Sequence, residues 1–210
     1  MANYDRLEKN MLPLSGLQQD ALKEIGNICA GNAATALSQL LNRKIEMFVP
    51  RVYLVPVVDV TEVIGGTEIL VTAIVLNVLG DAPGVILLLF PQRDALLLSR
   101  LFTTKERETN GVMSDMERSA IKELGSILAF AYLNALSNVT GLGLVPSVPS
   151  LVTDMAGAII DYILIELTMV SEYAMVLESE FNEAGSSAHG HFFLLPTPGS
   201  MRAILDTLKG

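Results

Sequence analysis

The sequence contains one segment twice, and this duplication limits the folds open to the chain more than any other feature. Ser15 to Pro50 aligns without a gap with Ser114 to Pro149, 99 residues further on (114 − 15 = 99), and 12 of the 36 positions are identical. A chain of 210 residues can form one large domain or two intertwined halves. We therefore predict one domain, residues 1–210, made of two repeats over about 15–102 and 114–208 with a linker over about 103–113.

Each repeat is predicted to begin with a long helix. Ser15 is followed three residues later by Gln18, and Ser114 by Glu117, which is the capping-box pattern of a helix N-terminus. Small residues crowd both segments, so the two helices are expected to pack closely on each other or on one sheet.

After each helix the hydrophobic pattern becomes typical of strands. In the first repeat we predict strands over 45–55, 57–63, 67–78 and 85–90 and a closing helix over 92–102. In the second we predict strands over 145–152, 162–170, 173–181 and 191–195, a short helix near 154–160, a polar loop over 182–190 and a closing helix over 200–208. Hairpin-length turns join most strands, which favours antiparallel pairing. The predicted fold class is α/β (α+β): a single domain with an internal pseudo-two-fold duplication and two long helices on a mainly antiparallel sheet.

Charge and hydrophobic pattern exclude several classes of partner. A formal charge of −9 argues against nucleic acid and against an anionic membrane surface. The first ten residues hold four charged side chains and no apolar run, so they do not resemble a signal peptide. The longest apolar stretch, 69–91, is interrupted by polar residues and turn residues and cannot be a membrane span. The sequence predicts a soluble, cytoplasmic protein.

No metal or cofactor of its own is predicted for this chain. Cys29 is the only cysteine, so the sequence has no internal disulfide and no cysteine-based metal cluster, and Cys29 is expected to be a buried thiol. His189 and His191 are spaced so that they could share a metal, but no third ligand is in sight. A plain surface pair of histidines is the favoured interpretation.

Three polar residues of the first helix form the candidate site. Asp20, Glu24 and Asn27 are spaced so that they share one helix face. A carboxylate can pair with a cation, and a carboxamide both donates and accepts hydrogen bonds, so it can hold a water molecule. This combination suits phosphoryl transfer, in which catalysis is mostly positioning and charge stabilisation. The alternative is an ordinary solvated helix face.

The spacing Asp20-x3-Glu24-x2-Asn27-x22-Pro50 resembles the signature of the CheC phosphatases of bacterial and archaeal chemotaxis, a group with CheX and the flagellar switch protein FliY. The resemblance covers nearly the whole chain. It implies dephosphorylation of the phosphorylated response regulator CheY, with Glu24 forming a salt bridge to a lysine of CheY and Asn27 orienting the attacking water. The magnesium ion (Mg2+) would belong to CheY, and Asp20 and Pro50 would support the site.

The second repeat departs from this signature at one position. Ser119, Glu123 and Pro149 match, but Ser126 replaces the asparagine. A serine hydroxyl is shorter than a carboxamide and lacks its fixed pair of donor and acceptor. We therefore predict a second, degenerate site that is weak or inactive, although Glu123 could still dock a response regulator.

The resemblance also implies a second partner, CheD, bound around the segment 154–158, with Asp154 as the contacting residue. The alternative interpretation of Asp154 is an N-cap of the short helix. Two other functions stay open: a CheD-binding adaptor with secondary phosphatase activity, and a structural flagellar switch component, because the middle domain of FliM has the same fold. The Glu24–Asn27 pair argues against the switch component. A monomer is expected, since the duplication supplies what a dimer would otherwise supply.

Overall fold

A computed structural model of the chain describes residues 10–101, 113–166, 172–183 and 186–208. Within these ranges the helices are α1 (Gly16–Leu41), α2 (Val60–Val63), α3 (Gln92–Leu101), α4 (Asp115–Thr140), α5 (Ala156–Glu166) and α6 (Pro198–Thr207), and a 3₁₀ turn (Val57–Asp59) precedes α2. The strands are β1 (Glu46–Pro56), β2 (Leu70–Gly80), β3 (Gly84–Pro91), β4 (Leu144–Pro146), β5 (Ser150–Met155), β6 (Tyr173–Glu183) and β7 (Ser186–Pro196). The predicted linker, 103–113, lies almost wholly outside the described residues.

Both long helices begin at the predicted capping boxes. The Ser15 hydroxyl accepts the Gln18 N–H at 3.3 Å, and the Gln18 side chain accepts the Ser15 N–H at 3.0 Å. Ser114 and Glu117 repeat this exchange at 3.3 and 2.7 Å. Because the capping side chains satisfy backbone donors that the first helical turn leaves free, the sequence signal and the helix start coincide.

One antiparallel sheet joins the two repeats. Its strand order is β1-β6-β7-β3-β2-β4. β5 also pairs with β2, along a different part of that strand from β4. The order reads the same from either edge of the sheet if β1 is taken as equivalent to β4 and β5, β6 as equivalent to β2, and β7 as equivalent to β3. A pseudo-two-fold axis therefore passes between β3 and β7, and the predicted fold class is confirmed.

The repeats exchange their first strands. β1 of the first repeat pairs with β6 of the second, and β5 of the second pairs with β2 of the first. Arg51 of β1 pairs with Glu178 of β6, and Ser150, 99 residues after Arg51, pairs with Val75 of β2. The edges of the sheet are thus each formed by a strand that lies against the other repeat.

The two faces of the sheet carry separate apolar cores. α1 and α4 pack on each other and cover one face, where Cys29 and Tyr132 are buried in the larger core. α2 and α5 cover part of the opposite face over the smaller core. Burial raises the pKa of Cys29 to about 12, so this thiol stays protonated near neutral pH.

Two predicted strands are helical in the structure. The predicted strand 57–63 is the 3₁₀ turn followed by α2. Of the predicted strand 162–170, residues 162–166 belong to α5, and 167–170 lie outside the described residues. Val57, Val60 and Ile64 are all buried, and their spacing of three and four residues follows the helical period. The apolar content suggested strands, but the periodicity belongs to helices packed on the smaller core.

In two other segments the boundaries between strand and loop differ from the prediction. The predicted polar loop 182–190 belongs largely to the β6–β7 hairpin, in which Asn182 pairs with Ser187. One face of this hairpin is solvated, so its polar composition did not indicate a strand. The predicted strand 145–152 is divided into β4 and β5 by the segment 147–149, which ends in Pro149, a residue without a backbone N–H.

Candidate functional site

The α1 helix presents the three predicted polar residues on one surface. Leu22 and Ile25 are fully buried against the sheet, whereas Asp20, Glu24 and Asn27 are exposed. The helical period places the apolar and polar sets on different sides of α1. The carboxylate and the carboxamide therefore lie where a second protein can reach them.

The Glu24 and Asn27 side chains are free to bind a partner. Among the described residues, neither side chain makes a hydrogen bond or an ion pair. No hydrogen bond joins Asp20 to Glu24 either, so the predicted supporting role of Asp20 is not carried by such a bond. An unpaired carboxylate and an unpaired carboxamide on one helix face keep all their hydrogen-bonding capacity for a ligand.

Close packing of α1 on β1 places Pro50 beside the strand residue Val49, which Gly26 of α1 approaches. A Cβ atom on Gly26 would lie 3.0 Å from Val52 Cγ2 and 3.1 Å from Val49 Cγ1. The β1–β6 register shifts between Phe48 and Arg51, so Val49 and the exposed Pro50 form an irregularity at this point of the strand. Proline fits such a position because it has no N–H to lose from the ladder.

In the second repeat the corresponding residues line one groove of about 500 Å³. Its lining residues are Ser119, Lys122, Glu123, Ser126, Pro146, Ser147, Val148 and Pro149. The Ser126 hydroxyl donates a hydrogen bond to the Lys122 carbonyl at 3.2 Å, one turn back in α4. This bond engages the hydroxyl with its own helix backbone. Ser119, Glu123, Ser126 and Pro149, the four predicted second-site residues, therefore line one groove. The hydroxyl of Ser126, which stands in the asparagine position, already donates a hydrogen bond within the chain.

Asp154 does not cap the short helix, so that alternative is wrong. It lies in β5, where it pairs with Val71, and its carboxylate accepts the Met155 N–H at 2.7 Å. α5 begins only at Ala156. Asp154 is exposed and lines a groove of about 620 Å³ on the sheet face opposite α1, together with mainly apolar residues that include Val75, Val152, Ile159, Tyr162 and Ile163.

The two histidines have different surroundings. His189 is exposed, as predicted for a surface pair, but His191 is half-buried and its ring stacks on Phe193 with centroids 6.1 Å apart. Burial lowers the pKa of His191, which favours the neutral ring. Within the described ranges, no three histidine, cysteine, aspartate or glutamate side chains come together as a metal site. The same ranges contain no helix that combines the length and the apolar character needed to cross a bilayer.

Similarity to known proteins decides the family. Residues 17–54 match the model of the CheC-like family, and this stretch contains Asp20, Glu24, Asn27 and Pro50. Over 195 residues, 91% of this chain and 93% of the other, the sequence is 37% identical to the CheY-P phosphatase CheC of Bacillus subtilis. The chain belongs to the CheC family. The resemblance that the signature spacing indicated is thereby confirmed.

CheC-family similarity extends to a flagellar protein. The flagellar motor switch phosphatase FliY of Bacillus subtilis is 29% identical over 127 residues, which are 60% of this chain and 33% of FliY. The crystal structure of Thermotoga maritima FliY superposes with a TM-score of 0.75 at 19% identity, covering 94% of this chain and 98% of that one. This structural likeness confirms the fold of a CheC-family domain.

Sequence reasoning did not assign a role to the helix glycines of this CheC-family chain. Gly26 and Gly125 occupy the same position in α1 and α4, and both lie buried against side chains of the sheet. Glycine is unfavourable inside a helix by about 1 kcal/mol relative to alanine. Its recurrence in the middle of both helices was the signal from which a close approach could have been predicted.

Proposed function

We propose that this CheC-family protein hydrolyses the aspartyl phosphate of phosphorylated CheY. The family membership supports a phosphatase, because the relative that is 37% identical is itself a CheY-P phosphatase. The observation that carries the proposal is the exposed pair of Glu24 and Asn27, which share one face of α1 and whose side chains make no hydrogen bond or ion pair within the described part of the chain. Such a pair can act only on a group brought by another molecule.

In the proposed mechanism this chain positions groups and supplies no nucleophile. The Glu24 carboxylate forms a salt bridge with a lysine of CheY and fixes the relative orientation of the two proteins. The Asn27 carboxamide, which donates and accepts, holds a water molecule in line with the phosphorus. Water oxygen bonds to phosphorus, the bond between phosphorus and the aspartyl oxygen breaks, and the products are inorganic phosphate and the free aspartate of CheY. Mg2+ held by CheY would supply charge neutralisation at the phosphoryl group, and this chain's own part is limited to docking by Glu24 and water positioning by Asn27.

The second site is proposed to contribute little to hydrolysis. Ser126 is tied to the Lys122 carbonyl and offers no carboxamide, whereas Glu123 remains exposed on the same groove. The groove therefore keeps the docking carboxylate and lacks the group that would hold the water. Binding of a response regulator without hydrolysis is the activity expected there.

The test is the decay of phosphorylated CheY, with Mg2+ present, in the presence of the wild-type protein and two variants. We expect Asn27→Ala to reduce the phosphatase rate on the order of 10²-fold, because loss of precise positioning has effects of this size. The matched control, Ser126→Ala at the same position of the second repeat, should retain the wild-type rate. No acceleration by the wild-type protein would refute the function, and an active Asn27→Ala variant would refute the assignment of the site.

A second function, CheD binding, is favoured by the groove at Asp154. One exposed carboxylate lies on a mainly apolar concave surface, which is the form expected of a protein docking site. We expect Asp154→Ala to weaken CheD binding on the order of tenfold in titration calorimetry. Asp161→Ala is the control, since Asp161 is exposed on α5 but does not line the groove. Equal affinity of both variants would contradict this role.

Three expectations from the sequence stay predictions: a monomeric state, a cytoplasmic location, and the absence of a metal or cofactor of its own. The structural switch component also stays an alternative. It would be favoured if the wild-type protein left the decay of phosphorylated CheY unchanged and did not bind CheD.

A further inference from the structure

We propose that Gly26 is a positioning residue of the first site, because its missing side chain lets α1 rest directly on the irregular part of β1. This inference rests on the proposed phosphatase function. Gly26 lies in the chain between Glu24 and Asn27 but points to the opposite side of α1, where it is buried. It acts through the helix and touches no reacting group.

The space around Gly26 explains why glycine stands there. Its backbone is ordinary helix, so the residue is not required by a left-handed conformation. An alanine Cβ would meet Val52 Cγ2 at 3.0 Å and Val49 Cγ1 at 3.1 Å, both well inside normal van der Waals contact. Alanine would therefore require Val49, Val52 or α1 itself to shift by some tenths of an ångström, and we infer that part of this shift falls on α1. The glycine lowers helix propensity and in return permits this close contact.

A shift of α1 would affect the two site residues unequally. Pro50 follows Val49 at the strand irregularity, so helix and strand together define the surface that CheY meets. Glu24 has a flexible side chain and can restore its salt bridge after a small displacement. Asn27 must hold water in line with the phosphorus, a requirement that small displacements break. The maximal rate should fall more than the apparent affinity.

The second repeat supplies a matched control. A Cβ on Gly125 would lie 2.7 and 2.8 Å from Ile74 side-chain atoms, so alanine there is at least as crowded. The corresponding site carries Ser126 in place of asparagine. Gly125→Ala should consequently lower thermal stability without lowering the phosphatase rate.

The experiment measures kcat and KM for phosphorylated CheY, together with thermal unfolding, for the wild type, Gly26→Ala, Gly125→Ala and Asn27→Ala. We expect Gly26→Ala to lower kcat on the order of tenfold with KM nearly unchanged. Adding Val52→Ala to Gly26→Ala removes the closest contact and should recover most of kcat. An unchanged kcat in Gly26→Ala, or an equal loss in Gly125→Ala, would overturn the inference.

A second variant covers the case in which Gly26→Ala does not fold. Val49→Ala keeps the glycine and removes one of the two side chains on which α1 rests, at a half-buried position. It should fold and show reduced kcat with KM nearly unchanged, and full activity would overturn the inference. Failure of the proposed function looks different, because then even the wild-type protein would leave the decay of phosphorylated CheY unchanged.

Discussion

At the scale of residues, one substitution separates the two sites. Asn27 and Ser126 occupy the same position of the repeated helix, and each is accompanied by a glutamate three residues earlier. Within the residues that the structure describes, the Asn27 side chain makes no hydrogen bond, whereas the Ser126 hydroxyl donates one to a carbonyl of its own helix. The groove around Ser126 nevertheless contains Ser119, Glu123 and Pro149, the residues that match the signature. The carboxamide is the part that the second site lacks.

This comparison predicts a gain of function. In an Asn27→Ala background, which removes the first site, Ser126→Asn should raise the phosphatase rate several-fold, on the basis that positioned groups contribute factors of about 10² or more. Ser126→Ala in the same background should leave the rate at its low level. The measurement is again the decay of phosphorylated CheY, and a double variant no faster than Asn27→Ala alone would show that the second groove is unsuited to hydrolysis for a further reason.

The sequence predicted residue positions correctly where they depend only on neighbouring residues in the chain. The period of α1 alone indicates that Asp20, Glu24 and Asn27 share a face opposite the apolar positions. The contact of Gly26 with Val49 and Val52 was not predictable in this way. It depends on how a strand more than 20 residues away (49 − 26 = 23) lies under the helix.

At the scale of elements, the long helices were more predictable than the short ones. α1 and α4 start at capping boxes whose two hydrogen bonds are made by residues three apart in sequence. α2 and α5 carry no such signal and are rich in β-branched and other apolar residues, which favoured strands. Their helical form is decided by packing on the smaller core, where tertiary contacts outweigh local propensity.

At the scale of the whole molecule, the exchange of first strands ties the repeats together. Neither repeat can complete its half of the sheet alone, because β1 lies on β6 and β5 lies on β2. The pseudo-symmetry could be predicted from the duplicated sequence. The exchange could not, since the duplication alone is equally compatible with two independent halves.

We therefore expect the protein to unfold in one cooperative transition. In urea, circular dichroism should report the helices and tyrosine fluorescence the surroundings of buried Tyr53 and Tyr132, which lie in different cores. The chain has five tyrosines and no tryptophan, so the tyrosine signal is not masked. The two curves should coincide, as in two-state unfolding. Separate midpoints would show that the two cores can unfold independently.

The exchanged strands also bear on how such a molecule can diverge. Two identical half-length chains could in principle make the same pairings across a two-fold axis, but every mutation in that homodimer would change both helices at once. Joining the halves in one polypeptide removes this constraint and leaves each position free to vary alone. An asparagine can then persist on one helix while its counterpart becomes serine, so that a duplicated architecture holds two sites with separate histories and separate uses.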